Sequence, residues 1–308
     1  NGGERDRRAS GGWCAAKFMW LTEFNTQGSL EQGKGERMAS TKVCSCTASR
    51  AARTARLPLA GVMALTAAVA GAAVERDPDF GGSDGLRQAT FSGEPAQIND
   101  AVLTEQGKIL VVGRAAGDNL DYDMVVARLN ADGTLDTDFG TASGYTRVPF
   151  DIGGGEDDTG WGIARRGSEI VIGGSAEVAL GDEDFAVARL DSEGGLIATN
   201  HFEFNEGNDG IGWDIAVDSM QRVYMAGVSR ASAGSGASGI AVRLDGGLDL
   251  DPTFTGDGVF ERTSGKEDGF VRYQNVEIRP DNGKVVLAGE TDELNGNGDI
   301  LVTQLSAS

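Results

Sequence analysis

The chain has 308 residues and a formal net charge of −20, with 40% hydrophobic residues, 47 glycines and only 6 prolines. Residues 1–73 carry ten Lys/Arg and five Asp/Glu of the chain's 27 and 47, so residues 74–308 carry 17 and 42, a net charge of −25. Such an acidic surface repels the phosphates of nucleic acids and anionic lipids, so we expect no nucleic-acid partner.

The first 73 residues have the composition of an export signal rather than of a folded domain. An apolar, alanine-rich run at 57–73 follows Arg50, Arg53 and Arg56 and ends in small residues directly before a charged segment. This order predicts a signal peptide over 38–73, cleaved near Ala72 or Ala73, with an uncleaved membrane anchor as the alternative. Residues 1–37 are expected to be a disordered leader or translated upstream sequence. The mature protein would then be secreted, periplasmic or at the cell surface, with no stable membrane span.

One phrase recurs four times after residue 77 and predicts a repeat architecture. It reads KILVVG at 108–113, EIVIGG at 169–174, RVYMAG at 222–227 and KVVLAG at 284–289, so its final glycines are 61, 53 and 62 residues apart. A second phrase follows each copy: DMVVARL at 123–129, DFAVARL at 184–190, SGIAVRL at 238–244 and DILVTQL at 299–305. A fixed period of this length means that each copy is one unit that stacks on its neighbours. The repeats are placed at about 77–135, 136–196, 197–250 and 251–308.

Each repeat contains short apolar runs bounded by Gly, Asp and Asn, which is typical of four strands. We find no stretch after residue 76 with a sustained helical period. Four-stranded sheets repeated about an axis predict an all-β protein, a β-propeller of four repeats with about four antiparallel strands each, as a closed four-bladed ring or an open partial propeller. Five aliphatic residues are expected in the core: Ile109, Val111, Val223, Val285 and Leu287. If the ring closes, Phe80 should lie near Leu301.

These phrases resemble the delta-60 repeat family of bacterial secreted β-propeller-like proteins. The resemblance rests on LDTDFG at 135–140, GKILVVG at 107–113, DFAVARLD at 184–191 and NADGTL at 130–135. It covers 77–308 and is poorest in the third repeat, where IATNHF at 197–202 replaces the Asp-Pro-x-Phe-Gly opening. The first strand of that repeat is therefore in doubt. The resemblance implies a propeller fold but brings no catalytic residues.

Acidic glycine loops precede the second phrase in several repeats. Clustered carboxylates on loops are suitable calcium ligands, so Asp121, Asp123, Asp182 and Asp184 are candidates for a calcium site. Asp, Asn and Gly are also ordinary turn residues, and the acids would then simply be solvated. No other metal or cofactor is expected.

Two further sets of equivalent residues have both a functional and a structural interpretation. Arg128, Arg189 and Arg243 could line an anion site or pair with an acid of a neighbouring blade, and the pairing is favoured. Trp161 and Trp213, equivalent to Asn99 and Asn275, could stack on sugars or pack in the core.

Nothing in the sequence completes a catalytic set. His201 is the only histidine, so a Ser-His-Asp triad or a histidine-based zinc site lacks its parts. Carboxylate pairs of the glycosidase type remain open because acids abound. The sequence therefore predicts no enzyme, but a non-catalytic binding or structural module at the cell exterior whose partner is an extracellular protein or a glycan. The alternative is a propeller hydrolase that acts on a glycan or another polymer through loop carboxylates.

Overall fold

A computed structural model describes residues 75–82, 84–88, 95–117, 121–141, 143–152, 157–204, 209–230, 236–266, 268–293 and 298–306. The predicted leader, the predicted signal peptide and its predicted cleavage site near Ala72 or Ala73 lie outside these residues. The described part of the chain is all-β, as predicted, and contains no helix that is long and apolar enough to cross a membrane.

Fifteen strands form four antiparallel sheets, which we call blades 1 to 4. Blade 1 contains β1 (Ala96–Leu103), β2 (Ile109–Ala116), β3 (Tyr122–Leu129) and β4 (Tyr145–Val148). Blade 2 contains β5 (Asp158–Arg166), β6 (Glu169–Ala179), β7 (Asp182–Leu190) and β8 (Leu196–Phe202). Blade 3 contains β9 (Gly210–Val217), β10 (Val223–Arg230), β11 (Ala237–Leu244) and β12 (Val259–Arg262). Blade 4 has only β13 (Val271–Ile278), β14 (Val285–Thr291) and β15 (Asp299–Leu305).

The second, third and fourth repeats contain four strands each, as predicted, but each blade is shifted by one strand relative to its repeat, which corrects the expectation that one repeat forms one blade. The fourth strand of blade 1 is β4, although its sequence belongs to the second repeat, and β8 and β12 complete blades 2 and 3 in the same way. The doubtful segment at the start of the third repeat is therefore a strand, β8. Within the described residues, β15 is the last strand of blade 4.

The first strands of the four blades, β1, β5, β9 and β13, lie side by side in that order and form the inner row. Apolar side chains fill the space between successive blades; Val112, Met124 and Val126 of blade 1, for example, pack against Ile163 and Ile172 of blade 2. Burying these surfaces holds the blades together. Of the five predicted core residues, Val223, Val285 and Leu287 are buried, whereas Ile109 and Val111 are only half-buried. Leu110 and Val112 take their place because that face of β2 turns toward blade 2.

The glycine that ends each KILVVG-type phrase is required by a close backbone approach. A Cβ atom on Gly113, Gly174, Gly227 or Gly289 would lie 1.8–1.9 Å from a carbonyl oxygen of the adjacent inner strand. The approach occurs beside a bulge of that inner strand, so any side chain would force the two strands apart.

The row of blades is open in this structure. Successive inner strands pack on one another, but β13 and β1, at the two ends, do not pack in this way in the described part of the chain. The Phe80 ring lies against Gly133 of blade 1, as the Phe139 ring lies against Gly194 of blade 2. The fold is therefore the open form of the predicted propeller.

Candidate functional site

All four inner strands carry a bulge at the same position, and this creates the candidate site. The register shifts between Ile98 and Asp100, Gly160 and Gly162, Gly212 and Asp214, and Tyr273 and Asn275. The bulged residues are Asn99, Trp161, Trp213 and Gln274. The sequence alignment paired both tryptophans with Asn99 correctly, but the fourth equivalent is Gln274 rather than Asn275. Bulges redirect side chains and are common beside active sites.

The residue after each bulge is Asp100, Gly162, Asp214 or Asn275. Two carboxylates therefore project from equivalent points of blades 1 and 3, with a glycine between them in blade 2. A Cβ atom on Gly162 would lie 2.9 Å from Ile215 N and 3.0 Å from Asp214 Cα. Gly162 thus lets the backbone of blade 3 approach blade 2.

Both carboxylates are held by the same pair of hydrogen bonds. Asp100 Oδ1 accepts from Ala101 N at 2.8 Å, and its Oδ2 accepts from Ile163 N of blade 2 at 3.1 Å. The equivalent bonds of Asp214 come from Ile215 N at 3.0 Å and from Val276 N of blade 4 at 2.9 Å. Each carboxylate is thereby fixed to its own blade and to the next one.

Burial raises the pKa of the Asp214 carboxyl above its ordinary value, and the negative charge of Asp100 adds to this rise. The hydrogen bonds from Val276 N and Asn275 Nδ2 oppose it. The Asp100–Asp214 pair thus contains one carboxyl group that holds its proton longer than usual and lies close enough to a second carboxylate to feel its charge. Two carboxyl groups whose environments differ in this way are suited to acid–base chemistry.

Two tryptophans lie beside this pair. Trp213 directly precedes Asp214, Trp161 occupies the equivalent bulge of blade 2, and both are half-buried. The Trp161 Nε1 atom is buried and has no hydrogen-bond partner among the described residues. The two indoles therefore offer apolar surface and, at Trp161, an N–H donor next to the carboxylates.

Sequence reasoning missed Asp100 and Asp214, although a signal was present. Once the four inner strands are aligned, NDA at 99–101 and WDI at 213–215 place Asp at the same repeat position. The search for carboxylates had concentrated on the acidic loops, where Asp and Gly are abundant.

The four calcium candidates are divided between two blades. Asp121 and Asp123 lie at the start of β3, whereas Asp182 and Asp184 lie at the start of β7. Asp123 forms a salt bridge of 2.9 Å with Arg147, and Asp184 Oδ2 lies 2.9 Å from His201 Nδ1. Within the described residues, no group of three or more His, Cys, Asp or Glu side chains is arranged to hold a metal ion. Calcium binding stays a prediction.

The equivalent arginines mostly form ion pairs. Arg128 pairs with Asp136 at 2.5 Å and with Glu193 of blade 2 at 2.9 Å, and Arg243 pairs with Asp251 at 2.8 Å. The third repeat lacks the corresponding Asp, and the buried Arg189 Nε has no hydrogen-bond partner among the described residues. A cavity of about 520 Å³ between blades 1 and 2 is lined by Arg128 and other charged side chains but does not include Asp100 or Asp214.

One other carboxyl group has a strongly shifted pKa. Asp158, at the start of β5, is 2% exposed, and burial raises its pKa to about 7, with a further rise from the charges of Asp123 and Asp151. Its Oδ2 accepts a hydrogen bond of 2.8 Å from Phe150 N. Because it is enclosed, it cannot contact a polymer, and we do not assign it to the site.

Two segments, 107–139 and 169–196, match the model of a family described as a β-propeller domain of unknown function, DUF5122. This match identifies the chain as a protein of β-propeller repeats. Comparison with functionally curated proteins gives no match.

Several solved structures that match the chain are glycoside hydrolases. A GH43 β-xylosidase/α-arabinofuranosidase from a compost metagenome is 13% identical with a TM-score of 0.39, over 69% of this chain and 78% of that one. An endo-arabinase from Bacteroides thetaiotaomicron is 9% identical with a TM-score of 0.40, over 68% and 74%. A Penicillium chrysogenum α-L-arabinanase is 8% identical with a TM-score of 0.36, over 71% and 79%.

This comparison corrects two predictions from the sequence. The solved structures that match the chain are glycan-degrading enzymes, which contradicts the predictions of a non-catalytic binding or structural module and of no enzymatic activity. The alternative of a glycan hydrolase agrees better with these findings. At 8–14% identity the likeness concerns the fold, so an activity has to be argued from the residues of this chain.

Proposed function

We propose that this protein is a glycoside hydrolase whose carboxylate pair is Asp100 and Asp214. The observation that carries the proposal is their equivalent placement after the bulges of β1 and β9, combined with the raised pKa of Asp214. Hydrolysis of a glycosidic bond needs one carboxylic acid and one carboxylate on opposite sides of the bond.

The environments of the two groups suggest their roles. Asp214, which retains its proton to higher pH, donates that proton to the glycosidic oxygen as the bond to the anomeric carbon breaks. Asp100 is the second carboxylate of the pair, and either takes a proton from the attacking water or attacks the anomeric carbon itself. The distance between the carboxyl groups in the substrate complex decides between these routes, and with them inversion or retention.

The tryptophans support a sugar as the substrate. The apolar faces of sugar rings stack on flat aromatic side chains, and Trp161 and Trp213 are half-buried residues at the bulges beside the carboxylates. Sugar stacking was one of the two interpretations of these tryptophans in the sequence, and the neighbouring carboxylates support it. The strongly acidic surface makes a neutral glycan a better substrate than a polyanionic one.

We also propose that the protein works outside the cell and that its repeats are of the delta-60 type. Support for export comes from the cationic and apolar order of residues 38–73, and support for the repeat type comes from the recurring phrases. Either proposal could fail without affecting the assignment of the carboxylates.

The test is release of reducing ends from a panel of neutral plant and microbial polysaccharides. We expect at least one substrate to be cleaved, and both Asp100→Asn and Asp214→Asn to lower turnover about 10²-fold or more, in line with the loss of a general acid or base. Glu277→Gln is the matched control, because Glu277 is an exposed carboxylate on inner strand β13 away from the bulge. No cleavage of any substrate by the folded protein, or full activity of both Asp variants, would overturn the proposal.

A further inference from the structure

The outer face of blade 4 is exposed where the same face of every other blade is buried. Met124 and Val126 of blade 1, and Phe185 and Val187 of blade 2, are fully buried against the following blade. The equivalent residues of blade 4 are Ile300 and Val302, which are 92% and 63% exposed. Two aliphatic side chains at positions that a neighbouring blade normally covers indicate an unfilled blade–blade contact.

The edge of blade 4 is also unpaired. In blades 1 to 3 the third strand pairs with a fourth strand, whereas β15 pairs only with β14 in the part of the chain that the structure describes. A bare edge of this kind presents free backbone N–H and C=O groups to another strand. Next to this edge, the Asp299 Oδ2 atom is buried and has no hydrogen-bond partner among the described residues. The equivalent Asp123 is paired with Arg147 on the fourth strand of its blade.

The segment that would serve as this fourth strand lies at the other end of the described chain. Phe80 N donates to Asp77 O and Gly85 N donates to Phe80 O, which forms the same turn as Asp136, Phe139 and Gly144. After Gly144 the chain enters β4, and after the equivalent Gly258 it enters β12. After Gly85, the described residues 86–88 are exposed and belong to no strand.

The anchoring of that turn shows which blade the segment would join. The Phe139 turn, which leads into the fourth strand of blade 1, donates from Gly140 N to Glu193 O of blade 2 at 2.7 Å. The Phe80 turn makes the equivalent bond from Gly81 N to Asp132 O of blade 1 at 2.8 Å. A turn that is bound to blade 2 thus leads into the fourth strand of blade 1, the blade before it. By the same rule, the Phe80 turn, which is bound to blade 1, leads into the fourth strand of a blade that precedes blade 1. Blade 4 does not occupy that place in its own chain.

We propose that two copies of this chain associate head to tail, with blade 4 of one copy packed against blade 1 of the other. Residues 86–88 of the second copy extend blade 4 as its fourth strand beside β15. The neighbouring inner-row strand β1, whose Ile98 and Leu103 are exposed, covers Ile300 and Val302. Gln88 follows the turn residue Gly85 by three positions, as Arg147 follows Gly144. Gln88 of the second copy therefore takes the place that Arg147 has in blade 1, and its side-chain amide donates a hydrogen bond to Asp299 Oδ2 of the first copy.

Two such contacts close a ring of eight blades, within the usual range of four to eight. The contact is heterologous, because it joins two different surfaces of the chain. This property separates it from pairing of two β15 edges, which would join identical surfaces.

Sedimentation velocity of the full chain over a range of concentrations tests the proposal. We expect an assembly of two copies, with Ile300→Asp and Leu86→Asp each weakening association at least tenfold. Leu180→Asp is the control, because Leu180 is 96% exposed in the turn between β6 and β7. It should associate like the wild type.

Mixing the two weakened variants gives the decisive result. Each variant keeps one intact surface, and the intact surfaces are complementary, so an equimolar mixture should form a two-copy complex that neither variant forms alone. A wild-type protein that stays monomeric at 100 µM overturns the proposal. Closure of the ring within a single chain would give this result. Association that Ile300→Asp leaves unchanged, or that mixing fails to restore, overturns it as well.

Discussion

Arg243 donates from Nε to Asp251 Oδ2 across 2.8 Å, eight residues further along the chain, and the Arg243 side chain is 1% exposed. Arg128 and Asp136 repeat this spacing and contact in blade 1. In both blades the Arg belongs to the third strand and the Asp to the turn that leads into the fourth strand. The ion pair thus binds the first segment of the following repeat to the preceding blade, where this segment forms the fourth strand. This contact explains why each blade takes its fourth strand from the next repeat.

Loss of the carboxylate should be costly because it leaves a buried guanidinium without its counter-charge. We expect Asp251→Ala to lower the free energy of unfolding by about 3 kcal/mol. Chemical denaturation followed by tryptophan fluorescence measures this change. Asp281→Ala removes the acid of the exposed Arg279–Asp281 pair and should leave the denaturation midpoint almost unchanged. Equal effects of the two substitutions would contradict the fastening role of the buried pair.

The glycines that end the KILVVG-type phrases should not tolerate even a methyl group. In Gly174→Ala the new Cβ atom would lie 1.9 Å from Thr159 O, so β5 and β6 must separate. We expect a loss of about 1–3 kcal/mol, as for overpacking in a core, seen as a lower thermal midpoint. Gly246→Ala is the control, since the nearest atom to its Cβ is a flexible arginine tip at 3.5 Å. A Gly174→Ala midpoint equal to that of the control would be the contrary result.

Asp158 should make stability depend on pH in the direction opposite to most carboxylates. Its folded pKa of about 7 lies above the ordinary value of 3.8, so the folded state holds this proton more tightly than the unfolded state. Its contribution is therefore complete below about pH 4 and is lost as the pH rises toward 7.

Asp158→Asn removes this dependence and keeps an oxygen that can accept from Phe150 N. We expect the variant to gain stability relative to the wild type between pH 4 and pH 7, by up to about 4 kcal/mol. The difference between the two proteins in urea titrations at several pH values isolates Asp158 from other titrating groups. A constant difference across this range would refute the raised pKa.

The repeated phrases were sufficient to predict strands but not which blade each strand joins. KILVVG and DMVVARL are local patterns, and their strands β2 and β3 formed where they were expected. The position of β4 depends instead on contacts such as Arg128 with Asp136, which join different repeats and have no local signature. For the same reason the sequence predicted both a closed ring and an open propeller without deciding between them, although Ile300 is an ordinary member of its phrase.

The candidate site was hidden by a different physical cause. Asp100 and Asp214 become a pair only because blades 1 and 3 both face the Gly162 position of blade 2, and that proximity depends on how the blades stack. Composition instead directed attention to Asp121 and Asp184, which are plentiful loop acids. The tryptophans were recognised because two identical, rare residues at one repeat position are visible without a structure.

Buried aliphatic residues of blade 4 test whether this incomplete blade is a full part of the fold. Leu287 is fully buried between blades 3 and 4, so Leu287→Ala should cost about 2–5 kcal/mol through lost burial and the cavity that remains. Leu180→Ala, at a fully solvated turn, should change the free energy of unfolding by less than about 0.5 kcal/mol. Urea denaturation measures both. A small effect at Leu287 would mean that blade 4 unfolds separately from blades 1 to 3, because the loss would then not appear in the main transition. A large effect with one shared transition would place all four blades in a single cooperative unit, as the continuous packing from blade to blade predicts.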